Sequence, residues 1–267
     1  MKKLILSLLL FCSIPTFAQQ EQGEVLEEIV IDMVKTRRTL IDKLKKSKKL
    51  YDKHAKKNIY EISQELTNSK NEIIESFSAY ARYKSIGYHF YDYKMNFTEN
   101  KDDLKSLLTV SSFPFLSPNK YNYLQASDIF KKLIDLINDS NVFEENNHYY
   151  VYNSKKLSKD LVFIFDNETQ LLSEVINQDI TYAFKIEKEK LNSANAHTKY
   201  SNKNGIYVLS EMNVHESLTL HNKNYYLNFK GIISNKSKKE VEKLPSNGFF
   251  RLLIIRTQEL IELQDKM

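Results

Sequence analysis

The sequence predicts an α+β fold: an antiparallel, strongly curved sheet with N-terminal and inserted helices. Three observations predict it. Short β-rich runs follow one another from about Tyr149 almost to the end, joined by polar turns. Two earlier segments carry apolar residues at helical spacing instead. No Gly-rich or Pro-rich stretch divides the chain, which has five Gly and four Pro. Strands in succession with short turns pair antiparallel, and amphipathic helices must bury one face. A curved sheet offers its concave side for that burial.

The chain begins with Lys2 and Lys3, an apolar run from Leu4 to Phe11, and Pro15. Thr16-Phe17-Ala18 then places small residues three and one positions before a cut at Gln19. This is the pattern of an export signal over residues 1–18. The run is shorter than the roughly 20 residues of a permanent anchor. Cys12 raises a lipid-anchored alternative, but Phe11 stands where lipoprotein signals carry a small residue.

Residues 19–57 form an N-terminal segment. Glu24 to Ile31 starts either a strand or the following helix. From Lys35 to His54 a helix is expected, because Leu40, Ile41, Leu44 and Tyr51 share one face. Lys43, Lys45, Lys46, Lys48 and Lys49 crowd the remainder.

Residues 58–267 are β-rich with inserted helices, and are expected to pack with 19–57 as one domain. Tyr60, Ile62 and Leu66 alternate with polar residues, as in a half-buried strand. The turn cluster Asn68-Ser-Lys-Asn71 favours a hairpin to a second strand, Ile73 to Tyr83, over one long helix. Tyr88 to Phe97 is an aromatic strand. Asp102 to Val110 reads as a helix, and Pro114 and Pro118 mark a loop. Ser127 or Asp128 caps a helix whose face is Ile129, Phe130, Leu133, Ile134, Leu136 and Ile137. Leu161 to Phe165 and Gln170 to Ile176 flank a polar turn and make a hairpin. Further strands are expected at Ile180 to Ile186, Ile206 to Val214, Tyr225 to Ile233 and Phe249 to Arg256.

Composition bounds the chemistry. Cys12 is the single cysteine, so a chain cut at Ala18 has none. An exported protein without disulfides must rely on its apolar core, and about 249 residues suffice for one. Thiolate zinc sites and CxxC redox chemistry are excluded. The net charge of +5 falls to about +3 without Lys2 and Lys3, a mild value. The excess is local: eleven Lys or Arg lie between Lys35 and Lys57, against Asp42 and Asp52. That helix is either a solvated face or a contact for anionic lipid head groups, where each basic residue contributes about 1 kcal/mol. Nucleic acid is a poor partner for an exported chain.

No GxSxG, HExxH, P-loop or GxGxxG occurs. His215 and His221 are the nearest pair of histidines, and a metal site would need a third ligand. No catalytic residue, metal ligand or cofactor is therefore assigned. Phe163, Phe165, Tyr182 and Phe184 lie on strands expected to be neighbours. They read as core packing or as the lining of an apolar ligand pocket.

The hairpin Phe163-Ile-Phe-Asp-Asn-Glu-Thr-Gln-Leu-Leu172 resembles hairpins in the half-barrels of bacterial outer-membrane lipoprotein-sorting proteins. It is also similar to related uncharacterised domains of exported Bacteroidota proteins, as is Lys199-Tyr-Ser-Asn-Lys-Asn-Gly-Ile-Tyr-Val-Leu209. The resemblance covers most of residues 35–235. The signal's Phe-Ala-Gln end also looks like signals from Bacteroidota. Leu26-Glu-Glu-Ile-Val-Ile31 resembles the stretch after carboxypeptidase-like regulatory domains, although a signal ending at Ala18 leaves no room for such a domain. The half-barrel resemblance implies a concave surface that holds acyl chains or an extended partner segment.

The expected function is thus that of an exported, non-enzymatic envelope protein, periplasmic, outer-membrane associated or released. It would bind an apolar ligand or an extended partner segment. One alternative is an accessory subunit of an outer-membrane complex, docking through the basic helix or an unpaired sheet edge. Another is a hydrolase with dispersed catalytic residues.

Overall fold

Alternation of apolar and polar residues dictates a sheet with one buried face, and among the residues it describes the computed structural model has one sheet of eleven strands. It describes residues 32–51, 58–84, 87–108, 127–138, 140–152, 161–178, 191–203, 206–220 and 222–266. The expected export signal, the stretch Glu24 to Ile31, the strand Ile180 to Ile186, Tyr182 and Phe184 lie outside the described residues.

Helix α1 spans residues 32–51. Three strands follow: β1 (Ile59–Asn68), β2 (Ile73–Lys84) and β3 (Gly87–Phe97). Two helices come next, α2 (Lys101–Leu108) and α3 (Ser127–Ile137). A meander then runs through β4 (Asn141–Glu145), β5 (His148–Tyr152), β6 (Leu161–Phe165) and β7 (Leu172–Asn177). It continues with β8 (Leu191–Lys203), β9 (Ile206–Leu220) and β10 (Lys223–Ile233). The short α4 (Lys238–Val241), β11 (Ser246–Gly248) and α5 (Phe249–Lys266) end the chain.

The strand order is β11-β3-β2-β1-β10-β9-β8-β7-β6-β5-β4, with every pairing antiparallel. The sheet is open. Its seam is the pairing of β1 with β10, Tyr60 opposite Ile233 and Leu66 opposite Leu227. The α+β class and the antiparallel sheet agree with the sequence expectation.

One face of this sheet is buried throughout. On β1 it carries Tyr60, Ile62, Gln64 and Leu66; on β10, Tyr225, Leu227 and Phe229; on β6, Leu161, Phe163 and Phe165. All four longer helices meet that face. Tyr51 of α1 packs against Tyr200 and Tyr207, and Phe130 of α3 packs against Tyr200. Asp103 of α2 accepts from Tyr225, and Arg256 of α5 pairs with Glu75 on β2. The Tyr51 hydroxyl also lies 3.5 Å from that of Tyr60 on β1, three strands away from β8. Flat strands so separated stand about 14 Å apart, at 4.8 Å per step. One ring reaching both means that the sheet curls round α1.

Local sequence explains the helices. Leu40, Leu44, Ser47 and Tyr51 of α1 are fully buried at i, i+4, i+7 and i+11, a single stripe. Each leucine contributes about 2 kcal/mol of burial. The small α4 begins with a capping box, Ser237 and Glu240 satisfying each other's backbone N–H. It lays Val241 against Ile59 and Tyr91, a small second core.

One expected element is corrected. Phe249 to Arg256 reads as a strand, but it is the start of α5. Leu252, Arg256 and Leu260 are the buried positions, spaced by four. A short run with Ile254 and Ile255 has no periodicity of its own, and the helix spacing emerges only over the full eighteen residues. Strand β8 starts at Leu191, ahead of the Lys199 to Leu209 pair, and β9 runs past Val214 to Leu220. No helix among the described residues is long and apolar enough to cross a membrane.

A candidate site in the buried tyrosine cluster

Four phenols gather inside the sheet. Tyr51 comes from α1, Tyr60 from β1, and Tyr200 and Tyr207 from the paired ends of β8 and β9. The Tyr200 and Tyr207 rings stack with centroids 5.8 Å apart. Tyr51 meets Tyr207 edge-on at 6.4 Å, and Phe130 closes the group 5.9 Å from Tyr51. Such geometries add about 0.5–1.5 kcal/mol per pair beyond burial.

The hydroxyls are held by specific partners. Tyr207 donates to the Leu172 carbonyl at 2.5 Å. Ser47 accepts from the Leu172 N–H at 3.0 Å and donates to the Lys43 carbonyl of its own helix. Both backbone groups of Leu172 are therefore satisfied by side chains. This matters because β7 slips register against β6 between Ile164 and Phe165, breaking the regular ladder nearby. Asn58 donates to the Tyr60 hydroxyl at 3.3 Å.

Burial drives the titration of this group. It pushes the Tyr207 hydroxyl far up, Tyr200 adds to the shift, and the Ser47 hydrogen bond opposes it. Tyr200 is also raised by burial, partly offset by Thr198. Tyr51 rises well above the ordinary range through burial, then through Tyr60, with Tyr200 and Tyr88 adding. Tyr60 is raised by burial against the hydrogen bonds from Tyr51 and Asn58. These phenols stay neutral at physiological pH. They are too weakly acidic to serve as bases or nucleophiles. Tyr207 already donates its hydrogen bond to Leu172, so a ligand carboxyl or carbonyl group at the pocket would take its hydrogen bond from Tyr200.

A pocket of about 320 Å3 opens beside the cluster, lined inside by Leu171, Leu172, Tyr200 and Tyr207. Asp166 and Glu168 of the β6–β7 turn stand at its rim. Asp166 accepts from the N–H and hydroxyl of Thr169, both at 2.7 Å, and from the Glu168 N–H. Those bonds hold its carboxyl below the usual range, the Thr169 N–H most strongly. Asp166 thus builds the turn.

The sequence-derived residues divide in their placement. Phe163 and Phe165 are buried on the inner face of β6. Phe165 meets Tyr149 at 5.4 Å, one strand away from the pocket's Leu172. Among the lysines, Lys43 lies over the rings of Tyr149 and Phe165, at 5.0 and 5.1 Å, and reaches the Asn147 side chain. Lys46 donates to the Thr169 carbonyl at 3.2 Å. Both therefore tie α1 to hairpin tips. Lys45 points outward beside Asp42, Lys49 is exposed, and Lys48 is half-buried. His215 bonds Asn228, and His221 lies outside the described residues. No cluster of metal-ligating side chains occurs among the described residues.

Sequence reasoning singled out Tyr51 as a packing residue but missed Ser47, Tyr60, Tyr200 and Tyr207 as members of one site. Shared parity within each strand was the available signal. It shows which residues face inward, but not which of them meet.

No protein-family model matches this chain, and no curated protein matches it. Among solved structures it is similar to a DUF1329 family protein from Desulfovibrio piger ATCC 29098, at 12% identity. That match covers 75% of this chain and 92% of the other, with a TM-score of 0.33. A likeness of this strength carries no functional argument.

Proposed function

We propose that this chain is a non-enzymatic envelope protein that holds an acyl chain, or an apolar partner segment, between the inner face of its sheet and helices α1 and α3. The observation that carries the reading is the tyrosine cluster at the pocket. An apolar interior closed by helices rather than by strand pairing ends there in neutral hydroxyls. Such groups suit a ligand with an apolar tail and a carboxyl or carbonyl head. The tail would run towards Phe163 and Phe165. The export signal at the N-terminus supports an envelope location. Lys45 and Lys49, on the outward side of α1, would face anionic head groups.

The test is binding of a fluorescent fatty acid to the purified chain, with mass spectrometry of lipid extracted after purification. Saturable binding is expected. Ser201→Trp, at the pocket rim, is expected to weaken it about tenfold or more while leaving circular dichroism unchanged. A chain that carries no lipid and shows no saturable binding would refute the reading.

A further inference from the structure

The two edges of the sheet are unlike. At one end β11 has three residues, follows Pro245 and runs directly into α5. Brevity and proline are ways in which proteins blunt an edge. At the other end β4 has five residues, Asn-Val-Phe-Glu-Glu, charged at Glu144 and Glu145 but with no proline or bulge, and no strand beyond it among the described residues.

The hairpin fixes which backbone groups β4 presents. Asn146 and Asn147 have φ of 51° and 63°, and Glu145 pairs with His148. This is a two-residue turn of the I′ kind. The residues flanking such a turn exchange both hydrogen bonds, and the pattern alternates from there. Glu145, Phe143 and Asn141 bond to β5. The N–H and C=O groups of Val142 and Glu144 then point off the edge. Phe143 stands on the outer face, 53% exposed, its ring 6.3 Å from Tyr150.

We propose that β4 pairs with β4 of a second copy, antiparallel, about a twofold axis at Phe143. The register follows from the outward groups. Val142 opposite Glu144 of the second copy, and the reverse, engages all four of them as two closely spaced pairs. Phe143 then meets its own counterpart in the other pair type, where side chains approach to about 4.5 Å. A centre at Glu144 would set two carboxylates face to face, and a centre at Val142 would leave outward groups unmatched.

Charge agrees with this register. Glu145 falls opposite Asn141 of the other copy, just after Ser140. There the Arg37 guanidinium bonds the carbonyls of Asn138 and Ser140, at 2.9 and 3.4 Å. Glu145 of each strand thus comes to the end beside which Arg37 of the other copy is held, twice by symmetry, as a self-complementary interface requires. The proposal is independent of any ligand in the interior.

Sedimentation equilibrium of the full chain tests it, and a dimer is expected. Glu144→Pro removes an N–H aimed off the edge, a change that edge strands tolerate. Phe143→Lys places a charge on the axis. Each is expected to weaken the dimer about tenfold or more, with thermal unfolding of the monomer unchanged. In a Cys12→Ser background, Phe143→Cys is expected to yield an oxidised covalent dimer. A chain that stays monomeric at all concentrations would overturn the proposal. So would a dimer that survives both edge substitutions.

Discussion

Replacing Arg256 with methionine strips α5 of the charge it sends into the sheet. The Arg256 and Glu75 side chains are both 1% exposed, and they pair in two bonds, 2.6 Å from Nε and 2.8 Å from Nη2. Truncating one member strands the other charge in an apolar interior, which costs about 3–5 kcal/mol. With a urea m-value of about 2–3 kcal/mol/M, the unfolding midpoint should fall by about 1–2.5 M. Glu75→Leu should cost a similar amount for the mirror-image reason. The double variant should recover most of the loss, because an apolar pair of similar volume needs no desolvation of charge. Coupling of about 3 kcal/mol or more is therefore expected in the double-mutant cycle. Urea titration followed by circular dichroism and tyrosine emission measures all four proteins. An Arg256→Met cost under about 1 kcal/mol, or single losses that add in the double variant, would refute the reasoning.

Two further outcomes follow from the tyrosines and the lysines. Tyr51, Tyr200 and Tyr207 have folded-state pKa values raised by burial above the ordinary value of about 10. Above that pH the unfolded chain loses protons that the fold retains. Stability is then complete below about pH 10 and falls at higher pH by about 1.4 kcal/mol per unit per buried phenol. Phenolate absorbance should show these groups ionising together with the loss of circular dichroism; full ionisation in a folded chain would contradict it. Lys43→Met should cost about 1 kcal/mol because it removes the cation from two rings. Lys45→Ala, at an exposed position, should stay within about 0.5 kcal/mol, and chemical denaturation distinguishes the two.

What the sequence reveals depends on the range of the interaction. The hairpin around Asp166 is readable because its turn is closed by residues two and three positions on. Helix α3 is readable because its apolar stripe lies within eleven residues. Strand β1 is readable from parity. Helix α5 is misread because Arg256, in the middle of its buried stripe, looks like the end of an apolar run. Its partner Glu75 lies 181 residues away, so nothing local marks it as an interior residue. The tyrosine cluster fails to register for the same reason. Its members come from three separate parts of the chain, and their meeting depends on a strand order that no local pattern encodes.

The β1–β10 seam has a consequence for how the molecule is made. Both meanders, β1 to β3 and β4 to β10, pair each strand with its sequence neighbour, so each can zip up from local turns. The seam joins Tyr60 to Ile233 and closes a loop that holds most of the chain. In synthesis from the N-terminus, β1 emerges early and must wait for β10 with one side open. Arg256, which locks α5 against β2, emerges later still. For most of its synthesis the molecule is two unfinished sheets, and its last few dozen residues turn them into one.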